Sequence, residues 1–262
     1  CLPSAALRNV RTGTDDAFSD MNFGMEEEME YRYCEDRNWE DFSSGRVLRG
    51  VHGAPNFPVR LGCELYRRAL SHCERKQGIR LYDCCCGGGY LLTVLGLLNQ
   101  ETISQIYASD IDEGVLETAE KNLSLLSRKG MEARKQELLQ LSTLYGKPSH
   151  ALAVESAERL SSLLTKEIPC TVFAADAGSP LEPEDEIDIL ITDVPYGELT
   201  EWGGQKEEAQ TAQTGMEQDG LYRLIRNLTE CLGEKTLFVI VTDKGQKLPT
   251  EGLKILEKGN VG

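Results

Sequence analysis

The sequence lacks any apolar run long enough to cross a bilayer. Its longest apolar stretch, Tyr90–Leu98, falls far short of the roughly 20 residues that a transmembrane helix needs. We therefore expect no membrane partner and a cytoplasmic protein. Histidine is also scarce, because the chain has only 3, and these form no recognisable metal or catalytic-triad spacing. We therefore predict no metal site.

Positive charge is in short supply as well. The chain of 262 residues carries 28 basic and 43 acidic side chains, a net charge of −15, and such a balance argues against a nucleic-acid partner. The charge is unevenly distributed, however. Residues 1–41 hold 11 acids and four arginines and predict an acidic, partly disordered extension. Residues 46–80 hold eight basic residues and two acids, which would permit RNA binding through a restricted face of the domain formed by residues 42–262.

The nine cysteines include no CxxC pair, so a zinc site or a thioredoxin-like redox site is not indicated. Three of them, Cys84, Cys85 and Cys86, are consecutive. Neighbouring residues of a strand point to opposite faces, which makes three adjacent thiols poor ligands for one metal ion. We expect reduced thiols.

Short apolar strands alternate with helical segments from residue 58 onward. The pattern predicts strands over residues 79–83, 103–109, 170–175, 187–192 and 236–242, and helices over about 58–73, 91–98, 112–123 and 217–232. Between the second and third of these strands, the charged, leucine-spaced residues 129–166 are interpreted as a helical insertion. The alternation predicts an α/β fold, a doubly wound and mostly parallel sheet with helices on both faces.

A glycine cluster follows the first predicted strand, in residues 83–92 (DCCCGGGYLL). It matches neither the GxGxxG nor the GxxxxGK[ST] phosphate-binding pattern. Acids stand instead at the ends of successive predicted strands: Asp83, Asp110, Asp176 and Asp193. Carboxylates disfavour phosphates but suit the ammonium, sulfonium, ribose hydroxyls and adenine amine of S-adenosylmethionine. We therefore predict a site for this cofactor, with Asp110 on the ribose and Asp176 on the adenine amine; the alternative is a glycine turn whose acids only cap helices.

A second motif, residues 192–197 (TDVPYG), also follows a predicted strand. It fits the [DNS]-P-P-[YFW] turn of enzymes that methylate planar exocyclic amines, with Val194 in place of the first proline. The Asp193 carboxylate and the Val194 carbonyl would accept the amine hydrogens and turn its lone pair toward the methyl donor. Tyr196 would stack on the base, contributing roughly 1–3 kcal/mol, and Pro195 would stiffen the turn.

From about residue 31 nearly to the C-terminus, the sequence resembles the avilamycin-resistance ribosomal RNA methyltransferases, the AviRa family. The resemblance is carried by residues 54–61 (APNFPVRL), 83–98 (DCCCGGGYLLTVLGLL), 108–112 (ASDID), 145–149 (YGKPS), 192–198 (TDVPYGE) and 202–205 (WGGQ). The family usually has proline where Cys84 stands and serine where Gly88 stands, and the acidic extension is not part of its pattern. A final strand would normally follow where the chain stops, so an incomplete sheet edge is expected.

The resemblance implies a class I methyltransferase with a Rossmann-like sheet. Such an enzyme would use S-adenosylmethionine to methylate a guanosine of large-subunit (23S) ribosomal RNA, and the family name implies a link to antibiotic resistance. The turn at Asp193 also resembles that of guanine-N2 methyltransferases, which favours the exocyclic amine. The cofactor-binding residues that we expect are Arg60, Asp83, Cys84, Cys86, Gly87, Gly89, Tyr90, Leu91, Asp110, Ile111, Asp112, Asp176 and Asp193.

Among these, Arg60 begins the first amphipathic helix and is predicted to hold the methionine carboxylate, assisted by the positive helix N-terminus. The catalytic residues that we expect are Asp193, Pro195 and Tyr196. Candidates for contacts with RNA, grouped near both motifs, are Arg46, Arg49, Phe57 and Trp202. We expect a monomer.

Two other functions stay open at the level of sequence. The same turn serves methyltransferases of protein side-chain amides or small amines, and the acidic total favours such a substrate. A non-catalytic RNA-binding module with this fold is the other possibility, motivated by the altered glycine loop at Cys84 and Gly88.

Overall fold

The structure is a computed structural model, and it describes residues 3–10, 29–53, 55–179, 186–194, 220–243, 248–249 and 253–260. Within these residues the strands are β1 (Pro3–Val10), β2 (Ile79–Asp83), β3 (Ile103–Asp110), β4 (Cys170–Ala174), β5 (Ile189–Asp193), β6 (Leu237–Asp243) and β7 (Leu253–Asn260). The helices are α1 (Val59–His72), α2 (Tyr90–Leu98), α3 (Glu113–Leu123), α4 (Arg128–Tyr145), α5 (Pro148–Leu163) and α6 (Gly220–Cys231), with 3-10 turns at Glu40–Phe42 and Ser124–Leu126.

All of these strands belong to one sheet, in the order β4-β3-β2-β5-β6-β1-β7. The pairs from β4 to β6 are parallel, whereas β1 runs antiparallel to both of its neighbours. The predicted doubly wound, mostly parallel sheet of class I methyltransferase type is therefore confirmed.

The central strands are buried on both faces, which explains their continuous apolar sequences. Ile189 and Ile191 of β5 join α1 and α2 in one apolar cluster. Leu190, which lies between them, faces the other way and packs in a second cluster with α6. One strand thus supplies both cores, because successive side chains of a strand alternate between faces.

The helical insertion between β3 and β4 consists of two long helices, α4 and α5. The Ser127 hydroxyl caps α4 by accepting a hydrogen bond from the Gly130 N–H (3.0 Å). The helix ends at Gly146, whose φ of +59° suits glycine, and Pro148 opens α5. The predicted helical insertion between these strands is confirmed, with a sharp turn between its helices.

Two outer strands differ from the sequence prediction. Residues 3–10 were assigned to a partly disordered extension, but they form β1, which lies between β6 and β7. Near the C-terminus, β7 forms a strand that the sequence pattern does not predict. The register pairs Ala6 with Ile240 on one side and with Lys258 on the other. β1 therefore joins β7 to the rest of the sheet.

The segment from residue 29 to α1 has little regular structure and lies along the outside of α1. Glu64 of α1 is fully buried, and its carboxylate accepts hydrogen bonds from the backbone N–H groups of Arg32, Tyr33 and Cys34. Part of the predicted acidic extension is thus bound to the domain. No helix in the described part of the chain is long and apolar enough to span a membrane.

Candidate active site

Three of the predicted acids meet at one edge of the sheet. Asp83, Asp110 and Asp193 end the neighbouring strands β2, β3 and β5, and parallel strands bring their carboxyl ends to the same edge. Asp83 is fully enclosed, so burial raises its pKa to about 7, and the negative charges of Asp110 and Asp193 add to the shift. A cation bound at this edge would therefore be stabilised by the carboxylates around it.

The glycine loop connects β2 to α2 in a conformation that glycine favours. Gly87 and Gly89 have φ of +49° and +69°, in the left-handed region where other residues are strained. A Cβ at Gly89 would also lie 3.1 Å from the Ala119 Cα. The Gly87 N–H donates to Asp110 Oδ2 (2.8 Å), which joins the loop to the end of β3.

A cavity of about 130 Å³ opens beside this loop. It is lined by Arg49, Val51, Pro55, Asn56, Phe57, Asp83, Cys85, Cys86, Gly87, Gly88, Tyr90, Leu91 and Asp193. Burial raises the pKa of Asp193 to about 7, and its buried Oδ1 has no hydrogen-bond partner among the described residues. A buried acceptor of this kind normally has a partner, so the cavity suits a ligand that donates hydrogen bonds.

The donor set fits S-adenosylmethionine. Asp83 would offer a carboxylate to its positive groups, and Arg49 is the basic residue of the described lining. Just outside the cavity, Asp110 and the half-exposed Ile111 lie at the end of β3, where a ribose and an adenine face can be held. When bound, the cofactor supplies an electrophilic methyl group on its sulfonium.

Most of the predicted cofactor residues lie at this site. Asp83, Cys86, Gly87, Tyr90, Leu91 and Asp193 line the cavity, and Asp110 bonds to its loop. Asp112 caps α3, since its Oδ1 accepts from the Gly114 N–H (2.8 Å). Gly89 lies behind the loop against Ala119.

Two predicted residues point elsewhere. The Cys84 side chain is buried in the second apolar cluster with Tyr82, because it faces away from the cavity. Arg60 is bound by the N-terminal segment: its Nε donates to the Cys34 carbonyl (3.1 Å), and its guanidinium lies over the Tyr31 ring. The structure therefore does not place the Arg60 guanidinium where it would bind the methionine carboxylate.

Asp176 is placed two residues beyond β4, outside the cavity lining. Its two oxygens accept hydrogen bonds from the Gly178 N–H (2.8 Å) and the Ser179 hydroxyl (3.0 Å). In this structure the carboxylate shapes its own turn, and its contact with the adenine amine stays a prediction.

The RNA candidates have different surroundings. Phe57 and Arg49 line the cavity, whereas Arg46 forms an ion pair with Glu40 and hydrogen bonds to Ser156. Trp202, Pro195 and Tyr196 lie outside the described residues.

Sequence reasoning overlooked Val51, Pro55, Asn56, Cys85 and Gly88 in the lining. It also overlooked Asn122, whose amide joins the glycine loop to Arg49: the Asn122 Nδ2 donates to the carbonyls of Gly88 and Arg49 (both 2.8 Å). Cys85 and Gly88 stand inside the glycine motif and could have been found there. The Asn122 contact spans 73 positions to Arg49, and no local pattern indicates it.

The doubly wound sheet, the glycine loop after its first inner strand and the acids at the following strand ends define a class I methyltransferase that uses S-adenosylmethionine. Comparison with known proteins then gives the family. A family model described as rRNA methyltransferase AviRa matches residues 29–262.

Individual proteins agree with this match. A curated relative named 23S rRNA (guanine(2535)-N(1))-methyltransferase, from Streptomyces viridochromogenes, is 39% identical in an alignment of 241 residues that covers 88% of this chain and 92% of the relative. Two solved structures of the rRNA methyltransferase AviRa from the same organism each align with a TM-score of 0.75 and 36% identity, covering 89% of this chain and 93% of theirs. The chain belongs to the AviRa family of rRNA methyltransferases.

Proposed function

We propose that this enzyme methylates N1 of a guanosine in large-subunit ribosomal RNA, and that it acts in the cytoplasm, where that RNA is found. The name of the Streptomyces relative specifies N1, the ring nitrogen next to the exocyclic amine that the sequence favoured. We adopt N1 for this chain because the family match over residues 29–262 includes both the glycine loop and the turn at Asp193. The observation that carries the proposal is the buried Asp193 Oδ1 in the cavity, which has no hydrogen-bond partner in the part of the chain that the structure describes.

Asp193 has the chemistry that N1 methylation requires. Guanine N1 carries a hydrogen at neutral pH, so it must lose a proton before or as it accepts a methyl group. A carboxylate whose pKa is raised to about 7 by burial is an effective acceptor for that proton near physiological pH. Its two oxygens also match the adjacent N1–H and N2–H donors of guanine, which would orient the base.

Replacement of Asp193 by Asn tests this role. The amide keeps the shape of the side chain but cannot accept the proton, so transfer of labelled methyl groups to 23S RNA should fall about 100- to 10,000-fold. Binding of S-adenosylmethionine, measured by calorimetry, should change much less. Asp188→Asn is the matched control, since Asp188 follows Ile187 near the opposite end of β5 and pairs with Arg80; it should retain transfer.

The product of the same methyl-transfer reaction identifies both the methylated atom and the class of substrate. Digestion of the RNA followed by mass spectrometry should find 1-methylguanosine, and reverse transcription should stop at the modified position because N1 methylation blocks base pairing. The label should be removed by ribonuclease and should survive protease. Label at N2, or label that is lost with protease, would refute the proposal.

A further inference from the structure

Arg49 is the one basic residue among the described residues that line the cofactor cavity. The lining otherwise contributes two carboxylates, the Asn56 amide, thiols, glycines and apolar or aromatic side chains. S-adenosylmethionine carries two positive groups and one negative group, its α-carboxylate. The acids suit the positive groups, so the carboxylate requires the cation.

The main chain of Arg49 is fixed against the glycine loop by one buried amide. The Arg49 N–H donates to Asn122 Oδ1 (2.8 Å), and Asn122 Nδ2 donates to the carbonyls of Arg49 and Gly88 (both 2.8 Å). Asn122 is fully buried and uses its oxygen and both hydrogens in these contacts. Arg49 therefore has a fixed position beside the loop that binds the cofactor.

The guanidinium of Arg49 is held by the helical insertion. Glu137 of α4 pairs through Oε2 with Arg49 (2.5 Å) and through Oε1 with Arg134 (2.6 Å). Arg134 in turn donates to the carbonyls of Arg46 and Val47 (3.1 and 2.9 Å). Among the described residues two guanidinium groups thus share one carboxylate, which leaves one positive charge without an ion-pair partner at the cavity wall.

We propose that Arg49 binds the α-carboxylate of S-adenosylmethionine, and that Glu137 and Arg134 of the insertion are positioning residues that aim its guanidinium. The inference rests on the proposed methyltransferase function. A phosphate of the RNA is the other anion that could pair with Arg49. The carboxylate is favoured because Asn122 holds Arg49 against Gly88, inside the cofactor cavity rather than on an open face.

The test compares S-adenosylmethionine with its decarboxylated analogue, which keeps both positive groups and the nucleoside but lacks the carboxylate. In calorimetry, Arg49→Met should weaken binding of S-adenosylmethionine about 10- to 100-fold and leave binding of the analogue almost unchanged. The variant should thus lose the preference that the wild type has for the complete cofactor. Arg49→Lys, which keeps the charge, should recover part of the loss.

Glu137→Gln separates positioning from general stability. It should raise the KM for S-adenosylmethionine several-fold, keep kcat for RNA methylation and leave the analogue's affinity unchanged. The control is Glu132→Gln, which removes the same charge from the same helix at a residue that accepts from Gln136; its KM should equal that of the wild type.

Equal loss of both cofactor forms in Arg49→Met would overturn the proposal. So would a loss confined to RNA affinity, measured by fluorescence anisotropy with a labelled 23S fragment, because that result assigns Arg49 to a phosphate. Either outcome leaves the proposed function intact if the wild type still forms 1-methylguanosine. An inactive wild type would instead refute that function.

Discussion

At the scale of single residues, the site holds like charges in a small buried space. Asp83 is enclosed near Asp110 and Asp193, and its pKa is raised to about 7. The free enzyme therefore keeps a proton there that an exposed carboxyl would release near 3.8. The arrangement costs stability in the absence of cofactor and favours binding of a cation.

This burial predicts a pH dependence with a definite sign. The unfolded chain loses the Asp83 proton near pH 3.8, whereas the folded protein keeps it to about pH 7, so the contribution of Asp83 to stability falls as pH rises through that window and stays low above it. Asp83→Asn removes this penalty. The variant should melt about 3 °C or more above the wild type at pH 8 and differ little at pH 4.

Cofactor affinity should change in the opposite direction. Asp83→Asn should bind S-adenosylmethionine more weakly at pH 8, because the ionised acceptor is gone. Thermal melts at both pH values, together with calorimetry, measure the two effects. A variant that is less stable than the wild type at pH 8 would contradict the assigned penalty.

Glu64 shows the reverse case, a buried charge that is fully satisfied. Its carboxylate accepts from three backbone N–H groups and from Arg68 Nε (2.7 Å). Glu64→Ala should lower the free energy of unfolding by about 3–5 kcal/mol, because it leaves Arg68 buried without this partner. Urea titration measures the loss, and limited proteolysis should cut the released segment after Arg32. Glu155→Ala, on an exposed part of α5, should leave both readouts unchanged.

Sequence reasoning located the acids of the site but not the groups that position them. Asp83, Asp110 and Asp193 were found because each ends a recognisable strand. Arg49, Glu137 and Asn122 carry no such local mark, since their contacts span 73 to 88 positions. Arg60 was predicted to bind the cofactor because it stands at the start of a helix. In the structure it contacts Tyr31 and Cys34, and no sequence pattern indicates that this segment lies against α1.

At the scale of elements, the inner strands were predictable from their apolar residues. β5 and β6 are buried on both faces, so each begins with a run of apolar residues. β7 has no such apolar run, so the sequence pattern did not predict it. Its sequence, LKILEKGN, includes two lysines and a glutamate, as expected for a strand with one open edge.

Both helices of the insertion also hold residues 41–47, the segment that leads to Arg49 and the cavity. Arg134 of α4 holds the carbonyls of residues 46 and 47. Arg159 of α5 makes a two-point contact with Asp41, with Nε to Oδ2 at 2.8 Å and Nη2 to Oδ1 at 2.7 Å. A sequence-based division into insertion and domain could not show that the insertion forms part of the cofactor cavity's support.

At the scale of the whole molecule, many charges of the basic stretch 46–80 make contacts inside the protein. That this stretch faces RNA stays a prediction. Arg68 pairs with Glu64 and Glu257, Arg80 pairs with Asp188, and Arg67 donates to Asn99 and to the Tyr33 carbonyl. Any RNA-binding surface on this stretch therefore depends on cations that also hold parts of the fold together.

Removal of residues 1–28 should destabilise the enzyme, although these residues lie outside the family match that begins at residue 29. β1 is hydrogen bonded on both sides, so its loss separates β7 from the sheet. A point change tests the same idea: Ala6→Pro removes a ladder donor and should cost about 3 kcal/mol or more, whereas Ala6→Ser should be mild. Urea midpoints measure both, and an unchanged midpoint in the truncated protein would show that β1 is dispensable.

The position of β1 has a consequence for how the protein is made. Of the described strands, the first to leave the ribosome pairs with the last two, because the neighbours of β1 are β6 and β7. β1 ends at Val10 and β7 begins at Leu253, so synthesis at roughly 5–20 residues per second separates them by on the order of ten seconds or more. Through this interval the inner strands can already assemble, and the final closure of the sheet follows only after Asn260 has emerged.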